Sequence, residues 1–160
     1  MKPQSESLGR VRHPLHAAAA HFPMALLAIS SLWDLLGMWQ GDAAWWKFAF
    51  WSIAAGLLFA IAALITGIID FIKIPQGEAA EKTAMRHMAF MIAAVFLYVG
   101  SFMVRYREPV VTGQLQIAAL ALSAVGLILL IIGGWHGGEL VYRFGIGRSD
   151  PPSPTQEERH

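Results

Sequence analysis

No cysteine occurs anywhere in the 160 residues. Disulfides, iron–sulfur clusters, thiolate zinc sites and covalent haem attachment through C-x-x-C-H are excluded with it. Any metal or cofactor must be held by His, Asp, Glu or Met. Charge is scarce as well: Asp, Glu, Lys and Arg make up 14% of the chain, where a soluble domain carries about a quarter. The net charge is +1, so there is neither a basic footprint for nucleic acid nor the polybasic cluster of an anionic-lipid sensor. No phosphate loop, no nucleophile–base–orienter set and no repeated carboxylate pair is present. Hydrolase and nucleotide-driven transport functions therefore lack support.

What is present is apolar, at 56% of residues. Four apolar segments stand out, at Pro14–Trp39, Ala43–Ile74, Thr83–Val104 and Gly113–Tyr142. Each reaches or exceeds the ~20 residues a helix needs to cross ~30 Å of hydrocarbon. Proline suits the first turn of a helix and disfavours helix in the residue before it, which puts the first start at Pro14 with His13 just outside. The connections QGD, IPQGEAAEK and REPVVT are short, and short connections make consecutive helices antiparallel neighbours. The expected fold is all-α: a membrane protein of four transmembrane helices in an up-down bundle. Asp34 and the length of the first segment argue against a cleaved secretory signal.

Lys and Arg set the expected orientation. Nine fall on the side holding the N-terminal tail, the second connection and the C-terminal tail, and three (Lys47, Arg105, Arg107) on the other. This bias predicts both termini in the cytoplasm. Trp39, Trp45, Trp46 and Trp51 gather at the opposite end, as an interfacial aromatic belt would. The polar, proline-bearing ends, 1–12 and 148–160, read as disordered tails around one transmembrane domain at 13–147.

The four-span topology gathers residues that the linear order separates. His13, His16 and His21 open the first span, Asp70 closes the second, His87 opens the third, and His136 and Glu139 lie in the last turns of the fourth. All belong to one end of the bundle. At 100° per residue, His16 and His21 point about 140° apart, so they serve two partners, or one faces inward and one the lipid interface. Gly56, Ala60, Ala63, Gly67 and Asp70 form a stripe of small residues, and Ser123, Gly126, Gly133 and Gly137 another. Such stripes let membrane helices pack closely. They would equally let a flat cofactor lie against the backbone. Any one histidine near a membrane surface can reach water, and Asp34, alone near the far side, is assigned no function. Several histidines on three helices, with carboxylates at the same level, point instead to a shared site, because each ionisable group costs free energy in lipid.

These residues carry a resemblance. HPLHAAAAHFPMAL, TGIID at 66–70, His87 and GGELVYRFGIG at 137–147 resemble the bacterial membrane family catalogued as domain of unknown function 2231, over residues 13–147. Ala17 departs from the proline that is commoner in the family's opening motif. Through relatives joined to Rieske-type or cytochrome-like domains, the resemblance implies redox work by association only.

The first functional expectation is non-covalent haem b for electron transfer. Haem in a bundle takes imidazoles from facing helices and small residues beneath the porphyrin. His21 and His87 would form one axial pair, with His16 or His13 and His136 as a second. Asp70 and Glu139 would orient imidazoles through their other nitrogens, and Arg12, Arg86 or Arg143 would meet the propionates. A redox protein, a quinone or a second copy of the chain would be its partners beside the lipid bilayer. The alternatives are an accessory or assembly subunit whose polar cluster glues helices together, and a divalent metal held by His16, His87, His136 and Asp70 or Glu139.

Overall fold

The computed structural model describes residues 15–74 and 76–147. The expectations for both tails, for His13 and for Arg12 fall outside them. Four helices follow in order: α1 (Leu15–Gln40), α2 (Ala43–Phe71), α3 (Ala79–Arg105) and α4 (Gly113–Tyr142). They contain 26, 29, 27 and 30 residues. At 1.5 Å per residue each is longer than the ~30 Å hydrocarbon core requires. Each is also apolar enough to cross a membrane. Large apolar side chains such as Leu35, Leu58, Ile61, Phe96, Ile117 and Ile131 cover the outside, where lipid rather than water is the solvent.

The helix ends have local causes. Gly41 takes a positive φ of 71° between α1 and α2, a backbone conformation that costs glycine little. Asp42 then caps α2, its Oδ1 accepting the Ala44 N–H at 2.8 Å, which satisfies one of the free amides at the helix start. Two boundaries differ from expectation by more than a residue. Helix α2 ends at Phe71, three residues early, in a turn that buries Ile74. Helix α3 begins at Ala79, four residues before Thr83, because Glu81 reaches back from its first turn to accept the Gly77 N–H at 2.6 Å. That contact resembles the reciprocal half of a capping box. Pro23 sits inside α1 and is buried; it has no N–H to give to the preceding turn.

Packing is close within two hairpins, α1 with α2 and α3 with α4, and sparse along the α2/α3 and α1/α4 seams. The glycines explain the closeness. A Cβ on Gly56 would stand 2.8 Å from Leu27, and one on Gly126 would stand 3.0 Å from Tyr98. The stripes foreseen in α2 and α4 are thus the surfaces on which α1 and α3 lie. Leu27, Ile53, Ala94, Tyr98 and Leu130 form the central core.

The two hairpins repeat one another. Leu26 and Leu27 face Gly56; Leu97 and Tyr98, 71 positions on, face Gly126, 70 positions on. His16 lies on Gly67 and His87 on Gly137 with the same offsets. Buried Ser30 matches buried Ser101, and Asp34 matches Arg105. Equivalent residues also meet each other: His16 faces His87, and Asp34 bonds Arg105. Contact between a position and its own image is the mark of a two-fold axis, here running along the bundle between α1 and α3. Parallel repeats of this kind are a known membrane architecture.

The glycine contacts generate a direct test. Gly126→Val should destabilise the detergent-solubilised protein by about 1–3 kcal/mol, because the new methyl groups meet an aromatic ring fully buried in the core. Gly138→Ala, with nothing within 4 Å of the added carbon, should be neutral or slightly stabilising. Thermal unfolding of both variants beside wild type measures the difference.

Candidate functional site

The inward-facing ionisable residues sort into two places on the axis. One lies at the end of the bundle where α1 and α3 begin. There His16, partly buried, directs Nδ1 to the Ala63 carbonyl at 3.0 Å and to Thr66 Oγ1 at 3.3 Å. His87, also partly buried, directs Nδ1 to the Gly133 carbonyl at 2.8 Å. A carbonyl oxygen can only accept, so each Nδ1 carries the proton and a neutral ring keeps its lone pair on Nε2. The absence of a side chain at Gly67 and Gly137 seats both rings, each with ring atoms about 3 Å from where a Cβ would stand. Their centroids are 6.2 Å apart, with planes at 81°.

His136 stands beside this pair. Its ring stacks on Phe90 of α3, centroids 5.7 Å apart at 13°. Its Nδ1 is buried without a hydrogen-bond partner; Glu139 Oε2 lies 3.6 Å away, beyond hydrogen-bonding distance. Glu139 is held instead by Arg143, at 2.7 Å. His136 matches Thr66 of the first hairpin at the 70-residue offset. The two halves therefore share one imidazole each and differ in the residue that flanks it.

Several sequence expectations need correction. His21 does not face His87: it is exposed, with Nδ1 on the Ala17 carbonyl of its own helix. The cause is the turn between the two residues, which puts His16 inward and His21 outward. The imidazole that faces His87 in the fold is that of His16, not that of His21. Asp70 orients no imidazole; it pairs with Lys73 at 2.7 Å on the outer surface. Arg86 is exposed on α3. The glycine stripes do not leave an open slot, since His16, His87, Met91 and Met24 occupy the notches over Gly67, Gly137, Gly133 and Gly134. A helix surface without Cβ atoms draws partner side chains into contact, as membrane helix packing requires. Among the described residues, no three His, Asp or Glu side chains gather as ligands for one ion.

The second place was not foreseen. Arg105 Nη1 and Nη2 donate to the two carboxylate oxygens of Asp34 at 2.6 and 2.8 Å. The side chains are 0% and 3% exposed. Arg105 Nε reaches Ser101 Oγ at 3.3 Å, and Ser101 in turn meets Ser123 Oγ at 2.8 Å and donates to the Ala119 carbonyl at 3.0 Å. Sequence reasoning gave Asp34 no role and counted Arg105 as a flanking charge. The signal that exposes the pair is the 71-residue offset, which aligns Asp34 with Arg105 exactly as it aligns His16 with His87.

Comparison with known proteins points to the membrane as well. No curated protein and no solved structure matches the chain. One family model does match, over residues 12–150, which takes in all four helices. The chain belongs to the family described as Predicted membrane protein (DUF2231).

Proposed function

We propose that this membrane protein carries electrons through one non-covalent haem b held between His16 and His87. The observation that supports the reading is the pair itself: two imidazoles from equivalent positions, each pinned through Nδ1 to a backbone carbonyl. Pinning one ring nitrogen fixes the tautomer and presents the other as a ligand. Metal–imidazole bonds of about 2.0–2.1 Å put two axial rings on one ion about 6 Å apart, centre to centre. The observed 6.2 Å is in that range. A porphyrin supplies its own four nitrogens, so the protein has to gather only two. A bare zinc ion asks for three or four protein ligands, which favours haem over the divalent-metal alternative.

The thin hairpin-to-hairpin seams favour the same reading. Parting them for a flat group sacrifices less packing than opening either hairpin. Met24, Met91 and Phe90 would line such a group, and Arg86 and Arg143, at the same end of the bundle, would meet its propionates. His16 and His87 would hold the group from both sides, and electron transfer is the chemistry it would supply there. A quinol or a redox protein is the class of partner that would exchange electrons with it. One observation favours the accessory-subunit reading: each imidazole already has a carbonyl partner and a glycine seat, and needs no iron to be satisfied.

Absorption spectra decide between the two. Wild type expressed with added haem should show low-spin bands in the reduced-minus-oxidised spectrum, and His16→Ala or His87→Ala should abolish them. His21→Ala should keep them. The two inner variants should still reach the membrane, since removing an imidazole also removes the cost of holding it in lipid. A wild type that is colourless, and stays so on adding haem, would leave the accessory subunit as the answer.

We further place the haem end on the cytoplasmic side of a bacterial inner membrane, on the strength of the nine-to-three distribution of Lys and Arg. Reporter fusions after Arg148 should be active on the cytoplasmic face, and fusions after Glu108 on the opposite one. The reverse pattern would move the proposed site to the outer face.

A further inference from the structure

The ion pair at the other end of the axis carries an inference independent of any cofactor. Asp34 and Arg105 occupy the same position in the two hairpins. Each comes four residues after a buried serine, Ser30 or Ser101, and seven after the side chain seated on a hairpin glycine, Leu27 or Tyr98. A position on a two-fold axis meets its own image. Two identical hairpins would therefore bring two aspartates or two arginines together there. The chain instead has one of each, joined by two hydrogen bonds in a place closed to solvent.

Shape alone does not tell the hairpins apart. Both present an inner histidine, a buried serine one turn before the charge, and glycines at matching places. A second copy of α1–α2 could thus offer the first much of what α3–α4 offers. We infer that the Asp34–Arg105 pair is a pairing key, which directs each α1–α2 hairpin onto an α3–α4 hairpin and rejects a second copy of itself. Buried ion pairs contribute little net stability compared with apolar side chains of similar size, and fixing register or partner is their best-attested use. Like charges facing each other in a water-poor interior are the repulsive element that such selection requires.

The test uses the full chain in detergent. Asp34→Arg and Arg105→Asp, made singly, should each cut the yield of protein of wild-type size at least about tenfold, since each leaves like charges buried. The double exchange Asp34→Arg/Arg105→Asp should recover that yield to within about twofold, because on a two-fold axis the positions are interchangeable and the new arginine finds Ser30 as the native one finds Ser101. Asp34→Leu/Arg105→Leu separates selection from stability. It should insert at wild-type yield yet let like halves pair between chains. A cysteine introduced by Ser31→Cys, the chain's only thiol, reports this through a short thiol-reactive crosslinker. Crosslinked dimers should be near background in the otherwise native chain and in the double exchange, and at least about tenfold more abundant in the Leu/Leu background. A double exchange no better than the single variants would overturn the proposal, as would a Leu/Leu chain that crosslinks no more than the native one.

Discussion

Close approach between helices, with side chains of one seated on the bare backbone of the next, is the constraint on which the rest of this structure depends. Lipid tails are as apolar as leucine, so side-chain hydrophobicity alone does not hold two membrane helices together. They must approach closely enough for dispersion contacts that lipid cannot match. Glycine provides the approach. Gly56 and Gly126 admit Leu27 and Tyr98, while Gly67 and Gly137 admit His16 and His87. The hairpins are tight because of these notches, and the seams between hairpins, which have fewer, are thin.

The same constraint places the polar groups. An imidazole or a carboxylate facing lipid is costly, so the inner ones collect where the hairpins face each other, on the axis between α1 and α3. At one end the solution is hydrogen bonding: each histidine gives its Nδ1 proton to a carbonyl in the partner helix of its own hairpin. At the other it is charge pairing, in which Arg105 closes on Asp34 and its remaining Nε finds Ser101. Between them lies the dry core of Leu27, Ile53, Ala94, Tyr98 and Leu130. The molecule is a duplicated hairpin with two polar centres, one made of like residues and one of unlike residues. That difference is chemical: two neutral imidazoles can share a site, and two like charges cannot.

Much of the fold was legible in the residues. Helix α4 runs over the expected Gly113–Tyr142, and the other helices keep to their expected spans apart from shifts of a few residues. Those shifts arise where a side chain such as Glu81 reaches beyond its own turn, which hydropathy does not register. The site was legible at the level of which end of the bundle holds the histidines, and not at the level of which two face each other. His16 and His21 are equally histidine and equally close to the start of α1. The two point about 140° apart on the helix, and the rotation of α1 about its axis, set by the seat that Gly67 offers His16, decides which ring points inward.

The repeat was hidden for a related reason. Few positions are identical across the halves, and the most informative one pairs aspartate with arginine, which no search for similarity aligns. By itself the sequence determined the number of spans, their lengths, their antiparallel order and the end where the imidazoles collect, because these follow from chain length, local hydropathy and short connections. Only the tertiary structure decided that His16 pairs with His87, that the glycine stripes are filled by side chains, and that Asp34 is half of a closed ion pair. Those outcomes depend on the relative rotation of helices far apart in the chain, a quantity set by the mutual fit of side chains across the axis.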